Sequence, residues 1–479
     1  MTDDRYASPL GTRYASMEMQ RLWGPRHRIG IWRRLWLALA EAQQELGIDI
    51  PDTALDEMRT HLDDVDLDVA AEYERRYRHD VMAHVHAFAD QAPAARPYIH
   101  WGATSAFVTD NADLLVMRDG LRLILGRLLT VMRILEQFAN TYRAIPCLAY
   151  THFQPAQLTT VGKRATLWLQ DFVTDVEEVC YRLEQMRLRG CKGTTGTQAS
   201  FLQLFDGDHQ RVRELDTRLA VKMDAAGTFA VTGQTYPRKQ DAVLVNALSG
   251  IAISAAKFAN DLRLLQHEGE LLEPFEAEQI GSSAMAYKRN PMRAERINAL
   301  ARHVLALQSD PAHTAATQWL ERTLDDSANR RLSLPETFLA TDAILVLVAN
   351  VVEGLEVREP VIARHVEEQM PFMATERWLM AAVSAGGDRQ ALHEVIRQHS
   401  LAVADAVSRG EPNDLVERLA ADPAFAAIPE ETLRAELDPE RYTGRAAQQT
   451  ENFIVEYLHP HLARAQALAQ NAPTAEVTI

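Results

Sequence analysis

Three apolar seams constrain this chain more than any other feature of its sequence. Leu114, Met117, Leu121, Ile124, Leu128, Val131, Leu135, Phe138 and Tyr142 recur at alternating steps of three and four. Leu158, Val161, Ala165, Leu169, Phe172, Val176, Val179, Leu183 and Met186 keep similar steps, as do Leu244, Leu248, Ile251, Ala255, Phe258, Leu262 and Leu265. Such spacing lays a narrow apolar stripe along one side of a helix. No proline falls between Pro97 and Pro146, or between Pro155 and Pro237, so the helices can run long. A helix of ~30 residues is ~45 Å long, and three of them imply a bundle with nearly parallel or antiparallel axes. An ordinary bundle buries its apolar faces internally. Aliphatic residues off the seam, Leu115, Leu123 and Leu129, suggest a second buried face, and so predict bundles from several subunits packed side by side.

Around this centre the pattern is helical but less regular. Trp32, Leu35, Trp36, Leu39, Ala40 and Ala42 mark an amphipathic helix in the first part of the chain. Beyond about residue 357 the helices become more polar, with "SAGGDRQ" and "RGEPND" as loops. No alternating strand run stands out. The expected class is all-α, in three domains: 1–104, 105–357 and 358–479.

Charge narrows the partners. The net charge of −16 repels nucleic acid and anionic membranes, so neither is expected as a partner. Runs such as Ala343–Ala349 fall short of the ~20 apolar residues of a membrane span. Three cysteines, Cys147, Cys180 and Cys191, with no CxxC, point to a reducing compartment. The first residues carry two acids and no apolar segment, unlike a signal peptide. A soluble cytoplasmic protein is expected.

Against that acidity, local groups of cations and hydroxyls need a local reason. "QIGSSAMAYKRNPMRAER", 279–296, puts glycine and two serines beside Lys288, Arg289, Arg293 and Arg296, which can gather an anion. "ERTLDDSANRR", 321–331, offers Arg322, Ser327, Arg330 and Arg331. In "RRYRHDVMAHVHAF", 75–88, the histidine spacing does not suit a metal; Arg78, His79 and Asp80 suit anion binding and proton handling, or simply a solvated helix face. Thr104 and Ser105 follow Gly102 and can bind an anion, cap the next helix, or both. In "YTHFQPAQ", 150–157, Pro155 suits a first helical turn, which predicts His152 just before a helix N-terminus, as a proton-exchanging group or a cap. "RGCKGTTGTQASF", 189–201, lacks the ending of a nucleotide P-loop and reads as a hydroxyl-lined loop. Together these positions suggest a polyanionic small molecule.

Three separated segments, "GATSAFVTDN", "THFQPAQLTT" and "GSSAMAYKRNP", resemble the fumarase/aspartase superfamily. "SPLGTRYAS", "RHDVMAHVH", "KGTTGTQASFLQLF", "TGQTYPRK", "ERTLDDSANRR" and "PFMATE" resemble its branch that acts on succinylated purine-pathway nucleotides, and the likeness runs from about Ser8 to about Tyr457. The resemblance implies a three-domain all-α fold whose long central bundle assembles into a tetrameric helix core. It implies elimination of fumarate from succinylated purine-pathway nucleotides, no metal or organic cofactor, and active sites shared between subunits.

The resemblance also implies roles. Ser282 is the general base on a closing loop, with Lys288 beside it, and His152 is the general acid, with Glu295 orienting it. Arg13, Tyr14, Arg78, His79, Asp80, Thr104, Ser105, Gln234, Arg296, Arg322, Ser327 and Arg331 bind substrate, and His79 counts among the catalytic group. Lys288 and Asn290 hold a succinyl carboxylate, and His100 lies near the phosphate. One position departs from the superfamily pattern: Met285 is followed by Ala286 rather than proline, which bears on loop stiffness and leaves every chemical group in place. The rival readings are a sister lyase acting on argininosuccinate, malate or aspartate, and a catalytically silent structural protein. The presence of both His152 and Ser282 argues against the second.

Overall fold

The computed structural model describes residues 6–276 and 278–469. The elements that position the site are α1 (Pro25–Glu45), α2 (Leu67–Tyr77), α3 (Asp80–Gln91), α4 (Ser105–Thr141), β1 (Pro146–Thr151), β2 (Gln154–Thr160), α5 (Val161–Gln185), α6 (Lys239–His267), β3 (Leu271–Leu272), α7 (Met292–Leu307), α8 (Asp326–Glu353), β4 (Glu356–Val357), α9 (Glu359–Ser384) and α10 (His459–Ala469). The fold is all-α apart from two small antiparallel sheets, β1–β2 and β3–β4.

The seams become the bundle core. Leu114 through Leu135 on α4, and Leu244 through Leu262 on α6, are almost wholly buried at the seam positions. α4 packs against α5, α8 and α1, while α6 packs against α5, α7 and α8. Leu115, Leu123 and Leu129 are also buried, at 3%, 1% and 2% exposure, within the one chain. The second face they suggested is therefore covered by the chain's own helices and is no argument for a neighbouring subunit. The apolar residues that α5 and α6 leave exposed are others: Leu167, Tyr181, Ile253 and Leu264.

Two expectations fail here for identifiable reasons. The seam that starts at Leu158 does not begin a helix there: Leu158 is a strand residue paired with Leu148, and α5 starts at Val161, capped by the Thr160 side chain accepting from the Lys163 N–H. Its three-and-four spacing continues into the strand by coincidence. α6 and α8 are also long and apolar enough to cross a membrane, contrary to the reading of short runs, but they lie largely buried inside the bundle.

Residues of α1 share the main core, including Trp32, Leu35, Trp36 and Leu39. A second apolar cluster gathers Trp378, Leu392, Val403, Leu415, Phe425 and Leu433. The chain then returns to the bundle, where Leu462, Ala465 and Ala469 of α10 rejoin the main core beside α4 and α5.

Candidate active site

A cavity of about 630 Å3 opens where the α2–α3 corner, the start of α4 and the start of α8 converge. Eight sequence-predicted residues line it: Arg78, His79, Asp80, Ser105, Gln234, Arg322, Ser327 and Arg331. The corner is sharp because Arg78 takes left-handed backbone (φ 56°) as it ends α2. His79 then caps α3, its Nδ1 accepting the Met82 N–H at 3.3 Å. That bond needs a lone pair on Nδ1, so the ring is neutral with its proton on Nε2, which donates to Ser105 Oγ at 3.3 Å. Asp80 accepts the Val81 N–H at 2.8 Å and stands 3.6 Å from Arg331.

Beneath the cavity lies a buried ion network that sequence reasoning missed. Arg238 reaches both oxygens of Asp110 at 3.2 Å and Asp326 at 2.6 Å. Arg330 bonds Asp241 at 2.6 Å, Asp113 at 3.1 Å and the Tyr236 hydroxyl, and Arg28 reaches Asp113 at 3.0 Å. Burial works against ionisation of Asp113, but Arg28, Arg330 and Arg238 outweigh it and hold its carboxyl below the usual range. The network fastens the first turn of α8, which carries Ser327 and Arg331, to α4. Arg330, grouped with Arg322 and Arg331 on sequence, is spent inside it. The one signal in the sequence was Asp110 and Asp113, an i,i+3 pair on an apolar helix.

Gln234 is held by its backbone: its N–H donates to the Glu321 carbonyl at 3.0 Å, and its own carbonyl accepts from Arg189 at 2.6 Å. The glycine-rich loop 193–198 backs this segment, with Gly196 pressed against Thr232.

The remaining predicted residues lie outside that cavity. Thr104 precedes α4 in extended backbone without a side-chain capping bond. The His100 ring accepts the Trp36 indole N–H at 2.9 Å, and burial, helped by nearby His79, pushes it down to about 4. It is therefore a neutral imidazole.

His152 does not precede a helix. It sits with Phe153 at the tip of the β1–β2 hairpin, exposed, and Pro155 lies in β2. No helix therefore starts at Pro155 to place its N-terminus behind His152. Both tip residues have positive φ, 54° and 57°. This is a position where Asn-Gly is the relaxed choice, and each residue costs roughly 1–2 kcal/mol there. Strain of this kind at an exposed tip marks side chains kept for something other than the turn.

Ser282 begins a loop exposed from Ser283 to Arg289. The loop closes on itself: Asn290 donates to the Gly281 carbonyl at 2.8 Å, and a Cβ on Gly281 would lie 2.1 Å from the Lys288 carbonyl. Ser282 Oγ accepts the N–H groups of Met285 at 3.1 Å and Ala284 at 3.4 Å. Lys288 touches Gly281 through its backbone while its side chain is exposed.

Two of the four cations in this stretch are anchors rather than ligands. Arg289 pairs with Glu356 at 3.3 Å, and Arg293 is buried against Asn350 and Glu276. Arg296 stacks over the Tyr14 ring, 5.7 Å from its centroid, next to Arg13. Glu295 is exposed in the first turn of α7, and no hydrogen bond joins it to His152 within the chain.

An arginine-rich cavity among long helices, with His152 on a hairpin tip and Ser282 on a glycine-serine loop elsewhere in the chain, is the architecture of a lyase of the fumarase/aspartase class. The fold matches crystal structures of 3-carboxy-cis,cis-muconate lactonizing enzyme from Pseudomonas putida (TM-score 0.79, 22% identity, 95% of this chain and 98% of that one) and of fumarate lyase from Mesorhizobium sp. BNC1 (0.77, 24%, 98% and 100%). A lyase family model matches residues 31–306, and an adenylosuccinate lyase C-terminus model matches 371–453. The chain belongs to the adenylosuccinate lyase family. It is 50% identical to adenylosuccinate lyase of Saccharomyces cerevisiae and 48% identical to that of Schizosaccharomyces pombe, in each case over 94% of both chains. It is 47% identical to the Schistosoma mansoni enzyme, again over 94% of both.

Proposed function

We propose that this lyase eliminates fumarate from adenylosuccinate to give AMP, and from succinylaminoimidazole carboxamide ribotide to give aminoimidazole carboxamide ribotide, in purine biosynthesis. The observation that carries the reading is the identity of about half the residues, over 94% of both chains, with adenylosuccinate lyases. The cavity supports it chemically. These substrates carry a phosphate and two carboxylates, and Arg78, Arg322, Arg331 and the N-terminus of α8 present positive charge to one space.

In the reaction Ser282 takes a proton from the carbon beta to the leaving nitrogen. The electron pair forms the fumarate double bond as the C–N bond breaks, and His152 returns a proton to the nitrogen. A serine is a poor base unless its oxyanion is stabilised, and the N–H groups of Ala284 and Met285 already point at Ser282 Oγ. His79 offers its Nε2–H as a neutral donor. Lys288 and Asn290 hold a succinyl carboxylate, and Arg13, Tyr14, Thr104, Arg296 and His100 complete the substrate contacts.

His152 and the Ser282 loop stand outside the cavity of their own chain. This supports a homotetramer in which each site draws on several subunits, with Glu295 orienting His152 across a subunit boundary. Three buried, unpaired cysteines support a cytoplasmic setting. The test is the change in adenylosuccinate absorbance on adding purified protein. Ser282→Ala should nearly abolish turnover while substrate binding stays within about tenfold, ~1.4 kcal/mol. Turnover of argininosuccinate or malate in place of adenylosuccinate would overturn the substrate. A Ser282→Ala enzyme above a tenth of wild-type rate would remove the base.

A further inference from the structure

We propose that Glu270 is a positioning residue for the His152 hairpin, acting through Tyr150, Arg164 and His365. The inference rests on His152 having the acid role given above.

The hairpin leaves its own tip poorly fixed. Its base is regular, with Pro146 opposite Thr160, Cys147 opposite Thr159 and Leu148 opposite Leu158. The register then slips, so that Tyr150 faces Pro155 and Thr151 faces Gln154. β2 advances three residues there while β1 advances two, which is a bulge. Pro155 has no N–H to give to the ladder. Residues 154–157 are all exposed. The ladder therefore reaches the strained His152–Phe153 turn only through an irregular, exposed stretch that lacks one N–H donor, which leaves a gap in the fastening of the tip.

Tyr150 spans the gap. Its ring packs against Phe153, with centroids 5.6 Å apart, and its hydroxyl donates to Glu270 Oε1 at 3.4 Å. Glu270 is 1% exposed. The same Oε1 receives His365 Nδ1 at 3.0 Å, from α9. Oε2 lies 3.8 Å from Arg164 of α5, whose guanidinium also donates to the Leu148 carbonyl of β1. The Glu270 backbone is locked too: its N–H closes α6 on the Leu265 carbonyl at 2.9 Å, and its carbonyl accepts the Arg358 N–H at 2.9 Å. β3 follows immediately, and the segment carrying Ser282 departs from β3. One residue thus stands at the root of both segments, its carboxylate toward the hairpin and its backbone leading into β3.

The chemistry of Glu270 argues that this is its task. Oε2 is buried with no hydrogen-bond partner among the described residues. Leaving a buried carboxylate oxygen unpaired costs stability, and a well-packed apolar residue would hold the same elements together without that cost. What an apolar residue cannot do is aim donors from three elements at one point. Tyr150 is one of those donors, and it sits two residues from His152.

The test uses the purified full-length protein and adenylosuccinate, with kcat counted per folded chain and Tm measured beside it. Glu270→Gln keeps shape but removes the charge; Tyr150→Phe removes one hydroxyl and keeps the ring on Phe153. We expect kcat to fall about tenfold or more for Glu270→Gln and about threefold or more for Tyr150→Phe, with KM within about threefold, because the lost placement concerns the reacting group and not the anion contacts. The double variant should be no slower than Glu270→Gln alone, since both changes break one connection. A lowered Tm with unchanged kcat per folded chain means a purely structural role and overturns the proposal. So does a kcat within about twofold of wild type in both variants while His152→Ala is inactive, and that result leaves the acid assignment standing. If His152→Ala keeps wild-type turnover, the acid assignment falls and this inference with it. Should Glu270→Gln fail to fold, the kcat of Tyr150→Phe decides.

Discussion

Gly193 and Gly196 lie three residues apart on the loop behind Gln234, and both take left-handed backbone, with φ of +73° and +84°. They differ in space. A Cβ on Gly193 would meet nothing closer than 3.8 Å, an ordinary contact. A Cβ on Gly196 would lie 1.8 Å from the Thr232 carbonyl oxygen and 3.0 Å from that of Gly233. Both partners are backbone, so no side-chain rotation relieves the clash, and the two segments must part by more than about 1 Å. Gly193→Ala should therefore cost only the left-handed penalty, roughly 1–2 kcal/mol. Gly196→Ala adds overpacking of roughly 1–3 kcal/mol. The displaced segment carries Gln234, whose N–H is bonded to the Glu321 carbonyl beside Arg322. A shift of that size at substrate-positioning groups can cost up to about a hundredfold. Steady-state kinetics and thermal melts of the two variants side by side separate the terms. Gly193→Ala should lower Tm slightly with kcat/KM near wild type, whereas Gly196→Ala should lose about tenfold to a hundredfold in kcat/KM, chiefly through KM. Equal kinetics in the two variants would refute the claim that this close approach sets the Gln234–Arg322 wall.

Ala286 is exposed, and its N–H finds no backbone acceptor among the described residues, so Ala286→Pro should change kcat/KM by about fivefold or less, in line with an effect of ~0.4–1 kcal/mol. A hundredfold loss in the same assay would mean a backbone geometry that proline cannot take. Burial raises the Asp175 carboxyl to about 7, with Asp171 adding to the rise against a hydrogen bond from Ser254. The folded state then binds the proton more tightly than the unfolded one, and stability is lost as pH climbs from about 4 to about 7. Asp175→Asn should therefore raise Tm at pH 8 and change it little near pH 4; the largest gain is on the order of 4 kcal/mol, and equal Tm shifts at the two pH values would count against it. Mixing inactive His152→Ala and Ser282→Ala chains, then dissociating and reassociating them, should restore part of the activity, as sites shared between subunits require; a fully active monomer in sedimentation would rule sharing out.

What could be read from the sequence was what repeats or what clusters locally. The seams on α4 and α6 were legible because a period of three and four admits one geometry. The Arg78–Asp80 corner was legible because its three side chains are adjacent. The setting of His152 was not, since a proline in the first turn of a helix and a proline on an exposed edge strand look alike in one dimension. Arg296 and Arg331 could not be told from Arg293 and Arg330, because what separates them is burial against carboxylates far away in the chain. Arg330 finds Asp241 at 89 residues' distance, and Arg238 finds Asp110 at 128. Leu115, Leu123 and Leu129 misled for the same reason: a buried face is visible in sequence, but not what buries it.

The division between Arg293 and Arg296, and between Arg330 and Arg331, also bears on how such a site works. In each case the inward arginine is locked by carboxylates or amides, and the outward one is more exposed, Arg331 standing 3.6 Å from Asp80 and Arg296 lying over the Tyr14 ring. The first turns of α8 are fixed to the bundle from below through Asp326 and Arg330. The Ser282 loop has no such floor: its ties are Asn290 to the Gly281 carbonyl, Gln266 to the Arg289 carbonyl, and Arg289 to Glu356. The His152 tip has fewer still, with Tyr150 as its bridge to the interior. The groups we propose to bind substrate are thus built into ends of long helices, while the groups we propose for proton transfer ride on segments attached at their roots. In this arrangement a substitution at the tip or loop should change kcat before KM, and one at the cavity floor should change KM first. A Ser282→Ala enzyme that lost binding and turnover together would contradict that division even if serine is the base.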